Sequence, residues 1–427
     1  MKQWNKLSQI IFRIFTFLVL LCLSAFSCLS LCGFTSLKSI DQYSYVIAVG
    51  FDKGTSAPLK LTFQVAIPSP SSSSGDSSNS QDSTINTVEC SSIDSGINIL
   101  NDYLSKEVSL THCKVLIFSE ELASEGISPY INTLFNDVEI RPTCSIFISR
   151  SDSTSFLKAS GTHFQGITSK SYESTTNSIR YNGYIGSSKL GTFFSNLQDT
   201  FSCGYTTLVS VNNQNTIDQK SNVVPSMNSV GANLDSNYIA GESPINRNQD
   251  SAEHLGLAVF RGDKFVGELN GIETFSHLLV TNQLNEALVT IPNPLNETTF
   301  VDLSVELKKS TKTKVKLVNG TPFIQVTVSL DSRLLSIDSN TDYSNEENIV
   351  KIEDYASTYL KQNILEYLYK TSKVYKSDIA SFGSKASAHF LTWQDWEEYN
   401  WLSHYQDSFF EVNVDMQIHS SSFLQRV

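Results

Sequence analysis

Basic residues are scarce in this chain: 31 Lys and Arg stand against 43 Asp and Glu, a net charge of −12. That balance excludes a nucleic-acid protein, whose affinity rests on clustered cations, and a general electrostatic grip on anionic lipid. Long apolar runs are missing after Phe34, so the chain is not a polytopic membrane protein, while 40% hydrophobic residues suffice for real cores. The seven histidines are scattered singly from His112 to His419 and read as surface or satisfied residues. Nucleotide and catalytic signatures are absent. There is no G-x-x-x-x-G-K-[ST] loop, no G-x-G-x-x-G fingerprint, no H-E-x-x-H pair and no G-x-S-x-G elbow. No cofactor is expected.

Metal ligands are missing too. Cys90, Cys113, Cys144 and Cys203 lack metal-ligand spacing. Export would permit disulfides among them in three connectivities. Cys113 and Cys144 fall in apolar runs, where an unpaired thiol packs as a small hydrophobe, so free thiols are expected. Asp338-Ser339-Asn340-Thr341-Asp342 begins like a calcium loop, but Tyr343 stands where glycine is required and Ile349 where the bidentate Glu should be. No metal site is assigned.

What is present begins with an anchor. Lys2, Lys6 and Arg13 precede an apolar run from Ile14 to Phe34, the pattern of an export signal. At ~1.5 Å rise per residue the run is also long enough for a bilayer core of ~30 Å. The cations keep that end in the cytoplasm, which leaves residues 35–427 outside. Leu29-Ser30-Leu31-Cys32-Gly33 has Leu and Ser suitably placed before a cysteine, with Leu31 bulkier than lipoprotein processing prefers. Ala25-Phe26-Ser27-Cys28 has a small residue at that place and a bulky Phe26. Lipid attachment is placed at Cys32, with Cys28 the second candidate. An uncleaved helix, or a cleaved and freely secreted chain, are the alternatives. A single acyl chain binds a membrane weakly; a diacylglyceryl group carries two.

The body reads as mixed strands and helices. Ile40–Phe51 and Leu59–Ile67 form a hairpin, and Ser- and Pro-rich Pro68–Thr84 forms a loop that cannot offset its ordering entropy. Thr87–Cys90, His112–Phe118 and Cys144–Ser149 read as strands. Ser92–Ser105 and Ser128–Asn136 read as helices from their three- and four-residue apolar spacing, and Ser119-Glu120-Glu121 as a helix start. Ser169–Ser188 is a polar segment and Asn212–Asn237 a loop. His254–Gln283 gives a hairpin turning at Arg261–Lys264, with Gly267 marking a bend or close approach; a helix or third strand follows from Gly271. Phe300–Lys309, Lys312–Val318 and Phe323–Leu330 are strands, the last two joined by the Asn319-Gly320 turn. Ile349–Val374 is a long amphipathic helix lying on that sheet. Trp393, Trp396 and Trp401 make an aromatic corner, and Glu411–His419 is the final strand. The expected fold is α+β, three consecutive mixed α/β domains after an N-terminal membrane anchor or lipoprotein signal. The boundaries are 1–34 for signal or anchor, 35–195 for the first domain, 196–283 for a small β-rich middle domain and 284–427 for an antiparallel sheet with the long helix.

Four stretches resemble one family in its own order: Val46–Gly54 (VIAVGFDKG), His112–Ala123 (HCKVLIFSEELA), Gly256–Asn282 (GLAVF…DKFVGELNGIETFSHLLVTN) and the C-terminus with Asp378–Gly383 (DIASFG). The chain resembles the Ger(x)C family, the lipoprotein C-subunits of spore germinant receptors. The family's usual Trp-Asp after the cysteine is replaced here by Gly33-Phe34. The resemblance implies three mixed α/β domains held on the outer face of the spore inner membrane. It also implies two integral-membrane receptor subunits as partners, contact with membrane lipid, and no catalysis. Direct small-molecule binding by this chain is not expected, and the resemblance carries over no ligand-contact residues. Two other readings stay open. An exported hydrolase would use Asp395, Glu397 and Glu398, the one carboxylate cluster beside aromatics, although a helix N-terminal turn suits them better. A solute-binding protein would hold a small molecule tightly on its own.

Overall fold

The computed structural model describes residues 2–31, 40–67, 83–163, 168–178, 181–212, 237–245, 250–296, 299–335, 343 and 345–419. Cys32, Asp338–Asp342, and nearly all of the expected loops at 68–84 and 212–237 lie outside the described residues. The chain divides into a unit at Met1–Tyr43 and a unit at Ser44–Val427. The first contains helix α1, Lys2–Leu31. Its apolar side chains are largely exposed, among them Phe12, Phe15, Phe17 and Leu20. Among the described residues no helix is long and apolar enough to cross a membrane.

Apolar runs with no alternation demand cover on both faces. Val115–Ser119 (β5) and Ser145–Ser149 (β6) are such runs, buried at every position. They lie at the centre of a nine-stranded sheet whose other members are β1 Tyr43–Lys53, β2 Leu59–Ala66, β3 Ser83–Cys90, β4 Glu107–Ser109, β7 Tyr205–Asn212, β8 Ser251–Arg261 and β9 Lys264–Leu269. The order is β3-β2-β1-β5-β6-β7-β8-β9, with β4 on β1. Neighbours among β1, β5, β6 and β7 run parallel, and antiparallel strands flank them on both sides. Parallel neighbours need crossovers, and the helices supply them. One face is covered by α2 Ile93–Leu104, α3 Glu120–Glu125, α4 Ser128–Asn136 and the later α7 Leu190–Gln198, through Leu100, Leu122, Ile131 and Phe193. The other is covered by α5 Ser153–His163 and α6 Thr168–Ser178, through Phe156, Leu157 and Tyr172. Strands from both sides of residue 195 hydrogen-bond in this one sheet.

Several local rules are met. Ser119 accepts a hydrogen bond from Leu122 N and caps α3. The hairpin turns at Gly262-Asp263, with Gly262 at φ 61°. At Gly271 the chain enters helix α8, Gly271–Val280, rather than a third strand. Asn270 and Glu273 close a reciprocal capping box there, with bonds of 3.0 and 2.9 Å. Thr168–Ser178, within and just before the stretch read as a polar surface segment, is helical. Tyr172 anchors it by donating to Gln64 Oε1 at 2.8 Å.

The second sheet has the order β10-β11-β12-β13: Glu286–Pro292, Phe300–Val318, Thr321–Leu334 and Phe409–His419. The two strands expected at Phe300–Lys309 and Lys312–Val318 are one continuous strand. The polar break between them is a register shift between Leu307 and Lys312, not a turn. Asn319 and Gly320 take φ 52° and 80° and make the hairpin turn. Strand β13 pairs parallel with β12, so the connection must cross over. Helix α9, Glu346–Tyr369, does this, burying Ile352, Ala356, Leu360, Ile364 and Leu368 along one stripe. It ends in a wider, π-helical turn at Lys370–Tyr375.

Candidate functional site

Two built regions of the body stand out, a buried polar seam and a cationic pocket. The seam starts from a steric demand. A Cβ on Gly267 would lie 2.2 Å from the Tyr375 ring, so glycine lets the end of α9 approach the β8–β9 hairpin. The Tyr375 hydroxyl then donates to Glu268 O at 2.7 Å and accepts from Glu268 N at 3.1 Å. Two residues on, the Ser377 hydroxyl donates to Phe260 O at 2.5 Å. Asp378 is fully buried, and its carboxylate accepts from Gly383 N at 2.9 Å, Phe382 N at 3.2 Å and Trp401 Nε1 at 2.9 Å. Its carbonyl accepts from Cys203 N at 2.8 Å. Burial raises the Asp378 pKa from 3.8 to about 6, against the pull of those donors. The D-I-x-x-F-G segment is thus a polar knot that ties the large sheet to the aromatic corner. His277 lies nearby in the core, fully buried, bonded through Nδ1 to the Tyr367 hydroxyl at 2.8 Å. Burial lowers its pKa to about 3, so it stays neutral.

Beside the seam an open groove of about 530 Å³ is bordered by Glu120, Phe265, Glu268, Lys370 and Tyr375. Lys370 is held there by Glu273 at 2.8 Å, and Arg150 bridges Glu268 and Glu242 at 3.0 and 3.3 Å. Lys370 and Arg150 are thus paired, while Glu120 adds a like charge near Glu268.

The pocket lies at the amino-terminal ends of β5 and β6, the edge opposite to the one where open α/β sheets usually bind ligands. Its volume is about 300 Å³, and Lys114, Arg141, Lys189, Cys113, Cys144 and Glu173 are among its walls. Lys114 pairs with Glu173 at 2.6 Å, and the Lys189 ammonium donates to Ser145 Oγ at 2.9 Å. Burial lowers the Lys189 pKa. The Cys113 and Cys144 sulfurs lie 4.0 Å apart. Nothing in the sequence flags this pocket, because its walls come from four separate stretches.

Of the residues singled out in the sequence, Cys28 lies on the backbone of α1. Asp395, Glu397 and Glu398 are exposed on the short helix Trp393–Tyr399, α10, where Asp395 occupies the first turn and Thr392 caps it. Trp396 and Trp401 are core residues, whereas Trp393 is 54% exposed and donates to Glu397 Oε1 at 2.7 Å. Among the described residues no group of His, Cys, Asp and Glu could hold a metal ion.

Comparison with known proteins gives two family matches. Residues 36–211 match the spore germination protein N-terminal domain, and residues 255–422 match the spore germination B3/GerAC-like C-terminal domain. The chain is 22% identical over 369 residues to spore germination protein B3 of Bacillus subtilis strain 168, covering 83% of this chain and 86% of that one. It is 20% identical over 413 residues to YfkR, a protein of the same organism assigned to spore germination, covering 92% and 91%. The crystal structure of the GerBC protein superposes with a TM-score of 0.52 at 15% identity, covering 87% of this chain and 96% of that one. That likeness concerns the fold.

Proposed function

We infer, from the premise that this chain belongs to the Ger(x)C family of spore germination proteins and so has a role in germination, that it is the membrane-tethered, non-enzymatic subunit of a nutrient germinant receptor. The tether is the N-terminal segment, through lipid on Cys32 or, as the second candidate, Cys28. The body faces away from the cytoplasm on the spore inner membrane, since Lys2, Lys6 and Arg13 hold the other end inside. There it contacts two integral-membrane subunits, which bind the nutrient. Its part is assembly or signalling.

One observation carries this reading. The family matches begin at residue 36, directly after the basic-then-apolar stretch. The N-terminal segment is therefore the part of the chain left for attachment, and the body the part left for contact. The groove along the seam fits a contact role, because the cations beside it, Lys370 and Arg150, are held by Glu273, Glu268 and Glu242 in a fixed polar surface.

Affinity capture of the full chain from detergent-extracted spore inner membrane, with mass spectrometry of the N-terminal peptide, tests the proposal. Integral-membrane partners and an acylated cysteine are expected. Recovery of an unmodified chain without partners would remove both tether and receptor.

A further inference from the structure

Four cysteines of the body are free in the structure: Cys90, Cys113, Cys144 and Cys203. Two of them are placed differently from the rest. Cys203 sits at the seam, beside Asp378, and Cys90 packs under α2 against the position of Gly96. Cys113 and Cys144 stand just before two neighbouring parallel strands, whose register pairs Val115 with Ser145. The hydrogen bond from Ser145 N to Lys114 O, 2.9 Å, fixes the two backbones side by side. Their sulfurs touch at 4.0 Å. A disulfide needs about 2.05 Å, with Cα atoms roughly 4.4–6.8 Å apart. The register sets Cys144 opposite Lys114, so the two cysteines are offset by one residue on strands about 4.8 Å apart, and the sulfurs have about 2 Å to close.

Access and charge favour the same event. Both side chains are nearly buried, at 4% and 2% exposed, yet both wall the 300 Å³ pocket and are reached from it. Lys189 and Lys114 on the same wall draw an anionic reagent into the pocket and offset part of what holds the Cys144 thiol protonated, namely the Cys113 thiol and burial.

We propose that Cys113 and Cys144 are a modification site: a redox-closable pair that a small-molecule disulfide entering this pocket converts into a cross-strand disulfide. One thiolate attacks a sulfur of the reagent and releases its first thiolate. The second protein thiolate attacks the mixed disulfide and releases the other. The reagent gains two electrons and both protons and leaves as two thiols, and the protein keeps one new S–S bond. The neighbouring Cys113 thiol, and then burial, raise the Cys144 pKa well above its ordinary range, so closure is slow at neutral pH and faster as pH rises. The bond would pin the mouth of the pocket and close a loop that contains β5, α3 and α4. The proposal goes beyond the tethering reading and does not rest on it, because the oxidant can be supplied to purified chain.

The test uses the full-length chain in detergent, treated with oxidised glutathione at about pH 8.5, the ordinary pKa of a free thiol, quenched with iodoacetamide under denaturing conditions and digested without reduction. A Cys113–Cys144 linked peptide is expected, with a thermal midpoint raised by roughly 3–8 °C. In the Cys113→Ser chain the same treatment should leave a stable glutathione adduct on Cys144. Two alkylated cysteines in the treated wild type would overturn the proposal, as would pairing of either with Cys90 or Cys203. If the linked peptide forms on purified chain while protein taken from quenched spores has both thiols reduced, the pair stands and the location outside the cytoplasm is what loses support.

Discussion

The two sheets of the body solve burial in opposite ways. At the centre of the large sheet, β5 and β6 are buried at every residue, because helices lie on both faces. In the small sheet, β12 alternates buried with mostly half-buried positions and β13 buried with mostly exposed ones, with α9 on one side only. A side chain in β5 therefore has nowhere to relax when cut back, whereas half of β13 faces water. The cores join at the seam, where Leu257, Val259 and Leu269 of the large sheet belong to the same cluster as the small sheet and the aromatic corner.

The largest expected effect is at the doubly covered centre. Phe118 is fully buried and stacks on Phe51 at 4.5 Å, so Phe118→Ala should cost about 3–5 kcal/mol in equilibrium denaturation of the full chain. A loss near 1 kcal/mol would mean that the centre can collapse and that the contrast between the sheets is false.

Next comes the seam. The folded protein holds the Asp378 proton more tightly than the unfolded chain does, since the pKa rises from 3.8 to about 6. Its contribution to stability is therefore fully present below pH ~4, is lost as pH rises through ~6, and stays flat above; two pK units correspond to about 3 kcal/mol. Asp378→Asn should remove this contribution, and an unchanged profile would place the titration elsewhere. His277 acts with the opposite sign: neutral in the fold above pH about 3 but protonated in the unfolded chain below its ordinary 6.5, it makes stability rise with pH up to about 6.5.

Gly267→Ala, which drives a methyl into the Tyr375 ring, should cost about 1–3 kcal/mol and loosen the end of α9, visible as faster amide exchange at Lys370–Tyr375. The smallest effect belongs to the wet face: Phe409 is 58% exposed, and Phe409→Ala should stay within about 0.5 kcal/mol. Joint replacement of Asp395, Glu397 and Glu398 by their amides should leave germination unchanged. Lost germination with intact folding would revive the hydrolase reading.

The contrast between the sheets also explains what could be read in advance. Strands with a clear pattern were legible: the unbroken VLIF of Val115–Phe118, the alternation of Val412, Val414, Met416 and Ile418, and the glycine-marked turns at Gly262 and Gly320. The helix cap at Ser119 is likewise local chemistry; the capping box of Asn270 and Glu273 is equally local, but the element after Gly271 stayed open between helix and strand. What escaped is set by contacts distant in sequence. Nothing near residue 196 announces that β7 pairs with β6 on one side and β8 on the other, so the large sheet runs through an expected boundary. Helix α6 owes its anchor to Gln64, more than a hundred positions earlier, and its own polar composition gives little hint of it. Ser310-Thr311 divides two expected strands because a bulge interrupts the alternation just as the end of a strand does. The seam was half legible: Asp378–Gly383 stood out as a motif, but not that Trp401 and Cys203 close on it. The pocket could not be read at all.

The most direct measurement exchanges residues 1–34 for a cleavable secretory signal without cysteine and follows membrane retention and nutrient-triggered germination in the resulting spores. With the body folded and present at normal abundance, the account predicts release from the membrane fraction and loss of germination through this receptor. Germination at the normal rate from a freed, soluble body would contradict it.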